Sequence, residues 1–241
     1  MKLETKNLLT GDEISNKEFL ELIDFSIKLK EENKMGKGKP LLENKTLAML
    51  FEKPSTRTRV SFETGMKQLG GHTIILSLNE MQHSRGESVE DTAKTLSGYV
   101  DGIMARVYEH SFIEDLAKHA TVPVINGLSN SYHPCQTLAD FMTIKEYKKK
   151  FKDLKIAWIG DGNNVCNSLI FGCSKTQTDI VIATPKGFEP NPEVVKKASE
   201  NTTIDLTTDP ESAVQDADIV MTDTFTSIHT SDPKRTENFL P

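Results

Sequence analysis

The chain has 241 residues, 37% of them hydrophobic and 27% charged, with a formal net charge of −6. That length suits one large domain or two small ones, and the balance of residues lies outside the disordered range. An acidic chain is a poor partner for nucleic acid, whereas arginines placed close together still suit a small anionic ligand. No apolar run is long enough to span a bilayer. Met1-Lys2-Leu3-Glu4-Thr5-Lys6 carries no apolar core and no small-residue cleavage site, so a cytoplasmic setting is expected. Cys135, Cys166 and Cys173 are odd in number and lack Cys-x-x-Cys spacing, which excludes a disulfide framework or a zinc knuckle.

In chain order, Asn16 to Asn33 places Phe19, Leu20, Ile23 and Ile27 at helical spacing, and Gly36 to Pro40 breaks the pattern. Thr46–Phe51 is apolar without alternation, as a strand buried on both faces requires. Beyond it, Phe62, Met66 and Leu69 share one helical face. Strands are then predicted at His72–Ser77, Gly102–Val107 and Val122–Asn126, separated by helices at Glu87–Leu96 and Phe112–Ala120. A long helix over Pro134–Lys149 ends in a lysine-rich run. A second unit follows, with strands at Lys155–Ile159, Ile180–Ala183, Thr203–Leu206 and Ile219–Asp223 and helices at Pro190–Glu200 and Pro210–Ala217. Alternation at this spacing predicts an α/β fold of two doubly wound parallel-sheet domains joined by a long helix. The expected divisions are residues 1–133, a linking helix at 134–150, and residues 151–241.

Ligands of open α/β sheets bind beyond the carboxyl ends of the strands. Ser55-Thr56-Arg57-Thr58 stands at such an end and opens a helix, whose first N–H groups attract anions. The same residues also suit an ordinary capped helix, and the segment alone does not decide between the two. Gln82 lies in the next loop, Arg106 ends the third strand, and His133-Pro134-Cys135-Gln136 follows the fourth. Each has a plain structural role available to it; gathered at one edge they describe an anion site with a proton donor and no metal cluster. In the second unit, Gly160-Asp161-Gly162-Asn163-Asn164-Val165 resembles a dinucleotide turn, but Val165 replaces its third glycine. Ala183-Thr184-Pro185 also lacks the acid that would hold a ribose. Asn164 and Asp223, at strand ends, suit the carboxylate and ammonium of an amino acid as well as they suit a turn and a cap.

Ser55-Thr56-Arg57-Thr58-Arg59, His133-Pro134-Cys135-Gln136 and Gly160-Asp161-Gly162-Asn163-Asn164 together resemble the aspartate/ornithine carbamoyltransferase family. The Asp-Gly-Asn-Asn turn and Asp223-Thr224-Phe225-Thr226-Ser227 favour its ornithine branch. The resemblance implies that Ser55, Thr56, Arg57 and Thr58 cradle the phosphate of carbamoyl phosphate, with Arg106 also on it. Thr58, Arg106, His133 and Gln136 would meet the carbamoyl group, in the segment that includes Pro134 and Cys135. Gln82 would complete the site, often that of a neighbouring subunit. Asn164, Asp223, Ser227 and Ile228 would hold L-ornithine.

It further implies carbamoyl transfer to ornithine in arginine metabolism, a homotrimer or a multiple of trimers, and no metal or organic cofactor. Two alternatives remain open at this point: an enzyme for another amine (putrescine or an acylated ornithine), or a silent carbamoyl phosphate-binding paralogue. His229 stands where the family has a flexible glycine. The family's later His-Cys-Leu-Pro motif and closing helices have no counterpart in the chain, so the second domain is expected to be incomplete.

Overall fold

Helix and strand alternate through the residues that the computed structural model describes, 3–81, 86–225, 235, 238 and 239. Helix α1 (Asn16–Lys34) precedes β1 (Thr46–Phe51), α2 (Thr56–Gln68), β2 (His72–Ser77), α3 (Val89–Ser97), β3 (Gly102–Arg106), α4 (His110–His119) and β4 (Val124–Leu128). Helix α5 (Pro134–Lys148) crosses to β5 (Lys155–Ile159), α6 (Asn164–Thr176), β6 (Asp179–Ala183), α7 (Pro192–Ala198), β7 (Ile204–Thr207), α8 (Pro210–Val214) and β8 (Ile219–Met221). The strands pair in parallel as two four-stranded sheets, ordered β2-β1-β3-β4 and β7-β6-β5-β8. Two parallel α/β domains joined by a long helix are therefore what the chain forms. No helix among the described residues is long and apolar enough to cross a membrane.

Strand order decides where a ligand can enter. In the first sheet the chain moves outward from β1 to β2 and then returns to β3 on the other side of β1. In the second it moves outward from β5 through β6 to β7 and returns to β8 beside β5. Loops leaving the strands at such a reversal diverge and leave a crevice. One crevice lies between Ser55, after β1, and Arg106, which ends β3; the other lies between Asn163, after β5, and Asp223, after β8.

Burial follows the apolar runs. Ala48, Met49 and Leu50 of β1 are fully buried, as are Ile103, Met104 and Ala105 of β3. One face of this sheet packs on Ala93, Ile113 and Leu116, and the other on Phe62 and Met66 of α2. In the second sheet Ile156, Trp158, Ile180 and Ile182 share a core with Leu169 and Ile170 of α6, Phe141 of α5, and Phe19 and Ile23 of α1. The α5–α6 contact is close because position 172 has no side chain. A Cβ on Gly172 would stand 2.4 Å from the Phe141 ring and 2.6 Å from Thr137 Cγ2.

Some boundaries move from their expected places for local reasons. Strand β4 begins beyond Pro123, which has no N–H to give, and runs on to Leu128, whose carbonyl accepts from Val107 N at 3.0 Å. Helix α7 starts at Pro192 because the Asn191 side chain caps it, accepting from Glu193 N at 2.9 Å. Helix α8 stops at Val214, short of Asp216 in the left-handed region at φ 58°. Leu8 also forms a parallel bridge to Ile125, so the polar N-terminal segment lies along β4. Gly172→Val is expected to lower the unfolding free energy by about 1–3 kcal/mol, read from the urea midpoint, because neither the Phe141 ring nor Thr137 has space to withdraw. A midpoint equal to the parent's would show slack between α5 and α6.

Candidate active site

Ser55 caps α2 in an extended conformation (φ −156°, ψ 114°), its Oγ accepting from Thr58 N at 3.2 Å. No acidic residue occupies the first turn, so the positive end of the helix dipole is left unneutralised. Thr56 and Arg57 are exposed there. Arg106 pairs in register with Phe51, the last residue of β1, and donates Nη1 to Thr58 Oγ1 at 3.2 Å. The strand register shifts at Ala105/Arg106, an irregularity of the kind that re-aims a side chain. Arg106 Nε is buried and has no partner among the described residues. Burial, and then the like charge of Arg57, push the Arg106 pKa down; a guanidinium nonetheless keeps its proton. A further cation, Lys53, holds its Nζ 4.0 Å from the centre of the Tyr108 ring. Burial, followed by Arg106, lowers its pKa.

His133 stands at the start of α5, where Pro134 takes the first helical position. Its backbone N–H donates to Ser168 Oγ of α6 at 2.7 Å. Its Nδ1 is buried and unpartnered among the described residues. Burial pushes its pKa down to about 4, assisted by Arg106 and opposed by Asp223. At neutral pH the ring is therefore uncharged, with one nitrogen able to donate and the other to accept. Cys135 Sγ donates to Asn126 O at 3.4 Å, and burial pushes its thiol up to about 12, so it is no nucleophile. Gln136 is exposed, and its Nε2 donates to Asp140 Oδ1 at 2.9 Å. Burial raises the Asp140 pKa to about 6 against that hydrogen bond, and Asp223 adds to the rise.

Across the cleft, Asn163 caps α6 by accepting from Val165 N at 3.0 Å and Cys166 N at 3.1 Å. Its Nδ2 donates to Asp223 Oδ2 at 2.9 Å, which fixes the carboxylate beside the helix start. Asn164 Nδ2 donates to Ser129 O at 2.6 Å, joining the second unit to the first. Gly162 serves a close backbone approach: a Cβ there would lie 2.2 Å from Pro190 N, and Gly162 N donates to Phe188 O at 2.8 Å. In a dinucleotide turn the second glycine admits a pyrophosphate; here the chain's own 188–190 segment comes up against it. Arg235 pairs with Asp161 and donates Nε to Phe225 O at 3.1 Å, over the same turn.

Thus Ser55, Thr56, Arg57, Thr58, Arg106, His133 and Gln136 are carried on the edge of one sheet, with Asn164 and Asp223 facing them from the other. Gln82, Ser227, Ile228 and His229 lie outside the described residues. Lys53 and Asn163 stood inside motifs legible in the sequence without a role of their own, and Asp140 and Ser168 were not singled out. Asp140 had a legible signal, standing four residues after Gln136 on a predicted helix. Ser168 had none, because its partner is 35 residues away.

Residues 6–146 match a protein-family model described as the carbamoyl-P binding domain of aspartate/ornithine carbamoyltransferase, and residues 152–239 match that of its Asp/Orn binding domain. The chain belongs to the aspartate/ornithine carbamoyltransferase family. Among curated members, it is 57% identical over 241 residues to an ornithine carbamoyltransferase of Cenarchaeum symbiosum, covering all of this chain and 79% of that protein. It is 51% identical over 224 residues to one of Archaeoglobus fulgidus, covering 92% of this chain and 73% of that protein. The solved ornithine carbamoyltransferase of Pyrococcus furiosus superposes with a TM-score of 0.94 at 46% identity, over 99% of this chain and 79% of that one.

A histidine whose folded pKa lies below its unfolded value near 6.5 adds stability that is complete above pH 6.5. That contribution is lost as pH falls through about 4. His133→Gln is expected to remove up to about 3 kcal/mol of the stability lost between those limits, measured by urea unfolding at each pH. The His133 C2 proton should titrate near 4 in the parent. A midpoint at the ordinary histidine value would mean that the ring is hydrated.

Proposed function

We propose that the chain transfers the carbamoyl group of carbamoyl phosphate to the side-chain amine of L-ornithine, giving citrulline and phosphate. The observation that carries this reading is the pair of buried nitrogens, Arg106 Nε and His133 Nδ1, that have no partner among the described residues and lie in the crevice beside the acid-free start of α2. Buried polar groups without partners are costly; a bound oxyanion or carbonyl would satisfy Arg106 Nε, and a carbamoyl group, which both donates and accepts, would satisfy His133 in either tautomer. The ornithine carbamoyltransferases at 51–57% identity support the choice of reaction.

In this reading the phosphate lies on the first N–H groups of α2 with Ser55, Thr56, Arg57 and Thr58. Arg106 bridges phosphate and carbonyl, and neutral His133 and Gln136 meet the carbamoyl group. Pro134 and Cys135 shape that wall. Asn164 and Asp223 hold the α-amino and carboxylate groups of ornithine, together with Ser227 and Ile228. The neutral amine attacks the carbonyl carbon, and the developing oxyanion is met by donors that need no reorganisation. The carbon–oxygen bond to phosphate then breaks, phosphate leaves with the bonding electrons, and it takes up the proton that the amine gives up. Much of the acceleration comes from alignment of the two substrates between the sheets.

Residues 1–133 supply the carbamoyl phosphate half and 151–241 the ornithine half, linked by 134–150. Assembly as a homotrimer or a multiple of trimers, with Gln82 completing a neighbour's site, and a cytoplasmic role in arginine biosynthesis belong to the same proposal. The test is phosphate release from carbamoyl phosphate, corrected for spontaneous breakdown, with ornithine, putrescine and acetylornithine in parallel. Citrulline formed from ornithine alone supports the reading; release with another amine reassigns the acceptor, and binding without turnover marks a silent paralogue. Arg57→Ala is expected to weaken binding of phosphonoacetamide, a stable analogue of carbamoyl phosphate, by about 10- to 100-fold, the range of one charge-assisted hydrogen bond. Unchanged affinity would remove Arg57 from the site. Asp223→Ala should raise the KM for ornithine while leaving analogue affinity within about twofold, since a single ammonium contact is lost.

A further inference from the structure

We infer that Asp140 is a positioning residue, holding the side-chain amide of Gln136 so that its Oε1 faces the carbamoyl nitrogen of the substrate. The inference rests on the reading of the site as one for carbamoyl phosphate. Gln136 is exposed, so packing does not choose which end of its amide points inward. Asp140, one turn further along α5, makes that choice: its Oδ1 accepts from Gln136 Nε2 at 2.9 Å. An ionised carboxylate can only accept, so it selects the NH2 end and leaves the carbonyl end for a ligand.

The rest of this edge offers donors. Arg106 and Lys53 can only donate, as can the first N–H groups of α2, and the Thr58 hydroxyl already accepts from Arg106. Such a set serves phosphate and carbonyl oxygens, and for an NH2 group it leaves only hydroxyl oxygens and one nitrogen of neutral His133. The Gln136 carbonyl adds an amide acceptor to these, the only one that Asp140 orients among the described hydrogen bonds. Asp140 thereby lets the site distinguish a carbamoyl group from an acyl group of the same shape, in which a methyl replaces NH2. Asp140 is partly buried and stands one turn along α5 from Gln136, which follows His133 at the start of that helix.

The experiment compares two phosphonates by calorimetry on the full chain: phosphonoacetamide, which ends in NH2, and acetonylphosphonate, which carries CH3 in its place. The parent is expected to prefer the amide. In Asp140→Leu the affinity for phosphonoacetamide should fall by about five- to tenfold, as one hydrogen bond is lost, with acetonylphosphonate changed less than about twofold. Asp140→Asn keeps an oxygen that can accept from Gln136 and should retain the preference. In a Gln136→Leu background, Asp140→Leu should leave the ratio of affinities where it is. Equal weakening of both ligands in Asp140→Leu would show a structural role and overturn the inference, as would an unchanged ratio. Asp140→Ala takes the place of the leucine variant if that one does not fold. A parent that binds neither phosphonate would overturn the carbamoyl phosphate reading itself, whereas failure confined to the ratio would overturn Asp140 alone.

Discussion

The turn from Ser129 to His133 is where the two sheets are tied at their functional ends. Asn164 donates to Ser129 O, Asn167 Nδ2 to Ser131 O at 3.2 Å, and Ser168 receives the His133 N–H. From the other side His110 Nδ1 lies 2.9 Å from Ser129 Oγ, and Asn126 Nδ2 reaches Tyr132 O at 3.3 Å. Each such bond contributes only about 0.5–1.5 kcal/mol net. Their combined effect is geometric: they fix the start of α6 against the start of α5, so that the two crevices left by strand-order reversal open toward each other.

The crevice in the first sheet gathers positive charge, which Glu52 and Glu109 offset only at Lys53. Arg57, Arg106 and Lys53 are gathered at a helix N-terminus that carries no acidic residue, and Arg106 and Lys53 are both desolvated. His133 responds by staying neutral, which spares the crevice another positive charge and keeps the ring available as a hydrogen-bonding group. In the proposed reading a dianionic phosphate would relieve the repulsion. Binding and conformational stability are therefore linked, because a ligand bound only by the folded chain raises its stability in proportion to the logarithm of its concentration.

Strands β1, β2 and β5 were legible to the residue, because uninterrupted apolar runs between glycines and prolines leave little choice. Helix α6 was legible at its Asn163–Asn164 start but not along its length. It is buried on nearly every side, from Cys166 to Thr176, so it lacks the polar face that reveals a surface helix. The placement of Ser55 and Arg106 at strand ends and of His133 before a helix could be read because apolar run and following residue type point the same way. The contacts that hold them could not. Ser168 beneath His133 and Asn163 beside Asp223 act across 35 and 60 residues of chain, and no local pattern carries that information. Asn164 shows how a short polar residue at a strand end can serve as an interdomain tie, a use to which its position in sequence gives no clue.

The N-terminal segment adds a constraint on the order in which the chain can fold. Leu8 lies along β4, and the Asn7 side chain accepts from Val124 N across 117 residues. A little further on, Asp12 O accepts from Lys175 Nζ across 163 residues. Contacts of that span require loop closure that local structure does not prepare, and they form slowly. Residues 7–12 are thus made well before the partners they pair with. Until Leu8 docks on β4, that edge stands open as an unpaired strand, the kind of surface that invites another chain.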